Sequence, residues 1–319
     1  MKHMLDITCL GTALVDSIIR GFDPKPVSAS GYRAASGSLN VGGEAVNASM
    51  AAAKLGMKAR IVCSLGEDEA GELVLAALRR CGVDTGHVLR SPAHPTPVTT
   101  MFVRGDGTRQ SITNSAHSYQ FHPERDPARF TGSRALVLGS LFRAPFDDPA
   151  VICSVLRAAK AAGQMTVADT KLPNFRVLGL KDLQSALPLI DYITPNEDEA
   201  RFYTDAETPE AMADVFLSMG VGNVVVKLGG KGCYLKNAET ALYLPAYAIT
   251  AADATGAGDN FVAGFVSELL RGESHERALR FANACGAICA TAVGAGTALK
   301  SRTQVLDFMR EQPLQPMPE

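Results

Sequence analysis

The chain of 319 residues contains no tryptophan, no C-x-x-C pair, no basic block longer than two or three residues and no long apolar run. The missing tryptophan excludes nothing. The missing C-x-x-C pairs remove the usual signature of a zinc ribbon or a dithiol redox site. Seven cysteines are present, at 9, 63, 81, 153, 233, 285 and 289, an odd number at scattered spacings. They read as buried free thiols in a reducing compartment. Cys285 and Cys289 stand four apart on a helical pattern, but no other thiol or histidine lies near them in sequence, which favours core packing over a metal pair. Net charge is −2 and basic residues are dispersed, so no nucleic-acid partner is expected. No apolar stretch approaches the roughly 18 residues of a membrane span, and Asp6 interrupts the first apolar run. The expectation is a cytoplasmic protein with no membrane contact. No GxxxxGK[ST] loop occurs, so a phosphate site, if present, is not of the Walker type.

What is present is an alternation. Apolar runs rich in Val, Ile and Leu at 61–65, 135–139, 165–168, 190–194 and 223–228 predict buried strands. Helical periodicity predicts helices over 44–56, 69–81, 148–162, 197–203, 209–219, 258–271, 275–292 and 302–311. Strands alternating with helices point to an α/β fold with a mostly parallel central sheet and helices on both faces. Residues 12–41 and 95–120 break this rhythm and lack helix signals. Within the second, Val98 to Arg104, Gly-Asp-Gly-Thr and Arg109 to Thr113 form a β-hairpin pattern.

Two segments carry chemistry. The first is Asp253-Ala-Thr-Gly-Ala-Gly-Asp-Asn-Phe261, in which Gly256, Ala257 and Gly258 open an amphipathic helix and Asp259 falls in its first turn. A helix N-terminus presents unpaired N–H groups and a partial positive charge, and glycine lets an anion come close. An acid beside such a cradle is placed to take a proton from a hydroxyl attacking a phosphate. The same letters also suit an ordinary capped helix start. The second segment has Gly42 and Gly43 before a helix of small residues that ends at Leu55-Gly56, with Asn47 in the first turn. An amide there can bond a polyhydroxylated ligand or serve as a local cap.

In this order, about 210 residues apart, the two segments resemble the two signature regions of the ribokinase-like (PfkB) carbohydrate kinase family. The departure from D-T-T-G-A-G-D-x-F is Ala254. Further similarities are Leu10-Gly11 with Asp16, Gly66-Glu-Asp68 with Gly71, Gly82-Val-Asp84, Asn196-Glu-Asp-Glu199, Lys227-Leu-Gly-Gly-Lys-Gly232 and Phe281-Ala-Asn-Ala284.

The resemblance implies one ribokinase-like α/β domain over 1–319, with 12–41 and 95–120 forming a small β lid used for homodimer contact. It implies an ATP-dependent kinase of a monosaccharide or sugar derivative. Asp259 would be the general base and the backbone of Gly256, Ala257 and Gly258 the anion hole. Asp16, Gly42, Gly43 and Asn47 would hold sugar hydroxyls. Lys227, Gly229 and Asn283 would contact the nucleotide, with Lys227 standing where the family often has Thr. Asn196 and Glu199 would serve Mg²⁺ through water, although Asn-x-x-Glu is also the spacing of a capping box. Asp253, Thr255 and carbonyls around 290–297 would form a K⁺ site.

The substrate is less defined. Asp169-Thr-Lys-Leu-Pro lacks the Asn and Arg of a D-P-N-x-R pattern, which argues against a ketodeoxygluconate kinase. Lys171 or the lid residues Arg33, Arg104 and Arg109 could hold an acidic sugar, or be solvated charges. Tyr32, Phe102, Tyr119 and Phe142 could stack a nucleobase, which keeps a nucleoside kinase open, or be packing residues. A non-catalytic sugar or nucleotide sensor is the third reading, and the intact Asp259 argues against it.

Overall fold

The computed structural model describes residues 5–21, 34–105, 108–114, 121–174 and 176–316, without the side chain of Arg109. The strands in the first half of the chain are β1 (Leu5–Leu10), β2 (Leu14–Arg20), β3 (Ser36–Gly42), β4 (Ala59–Val62), β5 (Ser64–Gly66), β6 (Leu89–Ser91), β7 (Val98–Val103) and β8 (Arg109–Thr113). Those that follow are β9 (Ser133–Leu141), β10 (Met165–Thr170), β11 (Tyr192–Ile193), β12 (Asn223–Lys227), β13 (Cys233–Lys236) and β14 (Ala241–Leu244). The helices are α1 (Glu44–Lys54), α2 (Glu69–Arg80), α3 (Pro149–Ala161), α4 (Glu197–Thr204), α5 (Pro209–Ser218), α6 (Ala257–Leu270), α7 (His275–Ala290) and α8 (Arg302–Glu311).

Side-chain caps fix several helix starts. Asp68 accepts from Gly71 N–H at 2.8 Å and Ser274 from Arg277 N–H at 3.3 Å. Each satisfies one of the N–H groups that a helix start leaves unpaired. Gly272, at φ +85°, follows α6 in a left-handed conformation open to glycine.

The central sheet has the order β14-β13-β12-β11-β10-β9-β1-β4. Neighbours from β12 through β4 are parallel, and β13 and β14 add an antiparallel edge. Alternate residues of each strand feed opposite layers. Val137 faces a core shared with α1, α2, α6, α7 and α8, while Leu136 and Leu138 face one shared with α3, α4 and α5. The runs expected as single strands at 61–65 and 190–194 are resolved more finely. The first divides into the ends of β4 and β5, and the second shortens to β11. The β13–β14 hairpin was not anticipated. Its turn is closed by Asn237 Oδ1, which accepts from Glu239 N–H at 2.9 Å and Thr240 N–H at 2.8 Å.

The stretches without helix signals build a second sheet, ordered β3-β2-β7-β8, in which the 98–113 hairpin forms as expected. Its strand β2 leaves directly from the carboxyl end of β1, and β3 leads directly into α1. In the large sheet the chain leaves β1, returns on one side at β4, and then crosses to β9 on the other. Ligands in open α/β sheets bind at such a reversal, outside the carboxyl ends of the strands.

Candidate active site

Two helix N-termini meet there. Gly256 caps α6 at φ +77°, and a Cβ at this position would stand 2.2 Å from Cβ of Ala295. Only glycine fits this turn. Ala257 N–H is turned back to Ala254 O at 3.1 Å. Among the described residues the N–H groups of Gly258 and Asp259 have no hydrogen-bond partner, so they carry the positive end of α6.

Asp259 is buried and accepts at Oδ2 from Asn47 Nδ2 at 2.7 Å. Burial is the chief cause that pushes its carboxyl up to about 7. The Lys171 ammonium opposes that rise, Glu44 and Asp169 add to it, and the Asn47 hydrogen bond opposes it. Asp259 is thereby poised near neutrality, in the range useful for a general base.

Lys171 is held by Glu44, with Nζ 3.8 Å from Oε1. Burial alone would lower the lysine, but Glu44 and then Asp259 outweigh it and hold the ammonium above its ordinary range. Burial would likewise raise Glu44, yet Lys171 and a short hydrogen bond from Thr12 Oγ1 keep it below the usual carboxylate range. Asp16, on β2, is pushed up to about 6 by burial and then by Glu44 and Asp253. Its carboxylate lies on the backbone of Gly42, where a Cβ would come within 2.3 Å of Oδ2. Gly43 has φ +98°, and a Cβ there would meet Thr12 O at 2.5 Å. The four residues expected on the sugar side therefore share one wall.

Across from them stand Asp169 and Lys227, at the ends of β10 and β12. Asp169 Oδ1 accepts from Lys227 Nζ at 2.5 Å and from Thr194 Oγ1 at 2.7 Å. Asp169 Oδ2 is buried with no hydrogen-bond partner among the described residues. The Lys227 ammonium also stands 3.2 Å from where a Cβ on Gly258 would be, which brings it to the anion cradle. Asn196 and Glu199 do form the capping box: Glu199 N–H donates to Asn196 Oδ1 at 2.8 Å, and Asn196 N–H to Glu199 Oε2 at 3.0 Å. Thr170 Oγ1 donates to the same Oε2 at 2.8 Å. Burial, opposed in part by Lys227, raises the Glu199 carboxyl.

A cavity of about 270 Å³ opens beside Lys227 and the start of α6, lined by Lys227, Gly229, Gly258 and Asn283 among mostly small and apolar residues. Asn283 Nδ2 donates to Pro245 O at 3.2 Å on its wall. All three residues expected at the nucleotide lie on this cavity.

Other expectations fare differently. Phe142 is fully buried and stacks on Tyr203, ring centroids 3.9 Å apart, so it is a core residue and not a base-stacking one. Arg104 bonds Gln110 within its hairpin at 3.2 Å. Arg33, Tyr32 and Tyr119 and the side chain of Arg109 lie outside the described residues. Cys285 and Cys289 are buried free thiols. Asp253 and Thr255 lie beside the start of α6, and both carboxylate oxygens of Asp253 accept hydrogen bonds, from Thr255 and from Gly294 N–H. Sequence reasoning missed Glu44 and the role of Asp169. The acid that follows Gly42-Gly43 directly was the available signal for Glu44.

The fold thus joins a mostly parallel α/β sheet to a second, four-stranded sheet, and a glycine-opened helix carries a buried acid in its first turn. The pfkB family carbohydrate kinase profile matches residues 4–302. The chain belongs to that family and is an enzyme of the kinase class. It is 29% identical over 276 residues to a ribokinase of Haemophilus influenzae, covering 84% of this chain and 87% of that one. It is 31% identical over 258 residues to an ATP-dependent ribose-1-phosphate kinase of Halopiger xanaduensis, covering 81% and 82%. The Arabidopsis thaliana ribokinase solved with ribose and ATP superposes with a TM-score of 0.83 at 27% identity, covering 96% of this chain and 99% of that one.

Proposed function

We propose that the chain transfers the γ-phosphoryl group of ATP to a hydroxyl of a monosaccharide or sugar derivative, with Asp259 as general base. The observation that carries this reading is Asp259 itself, buried at the N-terminus of α6, held by Asn47, and raised to about 7. In the reaction the acceptor oxygen forms a bond to the γ-phosphorus, the bond to the β-phosphate oxygen breaks, and ADP leaves. The hydroxyl proton passes to Asp259. The N–H groups of Gly258 and Asp259, with Lys227 beside them, face the charge that the transferred group carries. Gly256 and Ala257 shape that cradle.

Asp16, Gly42, Gly43 and Asn47 bind the sugar, and Lys227, Gly229 and Asn283 line the ATP side. Asn196 Oδ1 and Glu199 Oε2 are engaged by the capping box, so these two residues would serve a hydrated Mg²⁺ only through its water shell. The buried, unpartnered Asp169 Oδ2 beside them supports the fit, since a hard cation satisfies such oxygens through water. When bound, the ion neutralises phosphate charge.

We place the whole chain in one domain, with the four-stranded sheet as a lid that excludes water when sugar binds. The lid also supplies a homodimer contact. Leu39, Ser17, Thr100 and Ile112 form one cross-strand row, and Leu39 and Ile112 at its ends are 67% and 71% exposed. No described helix is long and apolar enough to cross a membrane. We assign the enzyme to the cytoplasm.

ADP release with ATP and Mg²⁺ across hexoses, pentoses, ketoses, sugar acids, sugar phosphates and nucleosides tests the proposal. A sugar or sugar derivative is expected to be turned over. Turnover of nucleosides alone would replace it with a nucleoside kinase. ATP binding without any turnover would support a sensor.

A further inference from the structure

The loop beside the anion cradle is filled by the chain's own donors. Asp253 is buried, and its Oδ1 accepts from Thr255 N–H at 3.1 Å and Thr255 Oγ1 at 2.7 Å. Its Oδ2 accepts from Gly294 N–H at 3.3 Å and from the Arg20 guanidinium at 3.3 Å. The carbonyls of the same loop are engaged as well. Thr297 Oγ1 reaches Val293 O at 2.8 Å and Gly294 O at 2.9 Å. Asn260 Nδ2 donates to Ala295 O at 2.9 Å, and the Lys54 ammonium donates to Gly296 O. Ala290 O accepts from Ala252 N–H at 2.8 Å.

An alkali ion is held by oxygens that replace its hydration shell. Here those oxygens already face N–H and O–H groups, and the Arg20 guanidinium and the Lys54 ammonium, which burial lowers from its ordinary range, donate to two of them. Arg20 ends β2, the strand that carries Asp16. Lys54 ends α1, the helix that carries Asn47. The positive charge that a bound K⁺ would add next to α6 is thus supplied from the two elements that form the sugar wall.

We infer that Arg20 and Lys54 take the place of a monovalent cation, so that the enzyme works without K⁺. Arg20 acts as a positioning residue: it fixes Asp253, which fixes the turn that lets Gly256 open α6. A lid strand is thereby tied to the anion cradle by an ion pair.

The test compares KCl, NaCl and tetramethylammonium chloride at equal ionic strength, the last cation being too large for such a loop. Two readouts are taken, the melting temperature and kcat with an accepted sugar. The inference rests on the kinase reading for kcat alone. If no sugar is turned over that reading fails, and the melting comparison still decides this one.

For the native chain no potassium-specific rise in melting temperature is expected, and rates should agree within about twofold. Arg20→Met is expected to lower kcat about tenfold in tetramethylammonium, with K⁺ restoring most of it and raising the melting temperature. Arg20→Lys keeps the charge and should remain indifferent to K⁺. A potassium-specific melting shift in the native chain, or its activation about tenfold by K⁺, would overturn the inference. So would an Arg20→Met variant with native rate and no potassium response.

Discussion

Asn47 Nδ2 donates to Asp259 Oδ2 at 2.7 Å, which ties the first turn of α1 to the first turn of α6 across 212 residues of sequence. A residue expected to hold sugar thus also orients the proposed base and favours its charged form. Asn47→Ala removes a hydrogen bond to a carboxylate, so the pKa of Asp259 should rise further above about 7. The acid limb of the kcat–pH profile should move up by about one unit, with activity partly recovered at high pH. An unmoved limb would show that Asp259 is not the group titrating.

The same shift has a consequence for stability. The carboxyl of Asp259 is raised from 3.8 to about 7 on folding. Between these values the unfolded chain has ionised while the folded chain still holds its proton. Native stability contributed by this group therefore falls as pH rises from about 4 to about 7, and is level above that. Asp259→Asn removes the penalty. It should stabilise the protein by roughly 2–4 kcal/mol at pH 8 and by almost nothing at pH 4. Urea unfolding at the two pH values measures this, and a gain independent of pH would contradict it.

Gly42 leaves room for the Asp16 carboxylate. A Cβ there would lie 2.3 Å from Oδ2 and 3.0 Å from Leu14 Cδ1, so Asp16 must move in Gly42→Ala. The sugar KM should rise about tenfold or more, with the ATP KM within about twofold of native. Equal effects on both would place Gly42 outside the sugar wall.

Leu39 and Ile112 lie on the face of the small sheet opposite Asp16, since neighbours along a strand point to opposite sides. Exposed apolar residues at both edge strands fit a contact with a second copy. Leu39→Asp with Ile112→Asp should convert a dimer to a monomer in sedimentation velocity while leaving the melting temperature nearly unchanged. A native chain that sediments as a monomer would remove the proposed dimer.

Helices and buried strands were legible because their signals are local. Periodicity marks α6, and Gly256 and Gly272 bracket it. The hairpin of β7 and β8 was legible from the Gly-Asp-Gly-Thr sequence between two strand patterns, whereas β13 and β14 are four residues each and too short for a period to register. Charge pairing was not legible at all. Glu44 with Lys171, Asp169 with Lys227, and Arg20 with Asp253 join distant segments through the order of strands, which no local pattern encodes. Asn196 and Glu199 show the opposite limit: one spacing serves a capping box and a metal-associated motif, and the capping hydrogen bonds are formed. The potassium expectation came from resemblance at Asp253 and Thr255; these two bond each other, and the further donors to Asp253, Gly294 and Arg20, come from other segments of the chain.

The most direct test is sugar-dependent ADP formation by the native chain and by Asp259→Asn, with sugar and ATP binding measured by calorimetry on both. Asp259→Asn should lose about 10²–10⁴ in kcat while binding both ligands within a few-fold of native. Turnover within about tenfold of native would contradict Asp259 as the general base.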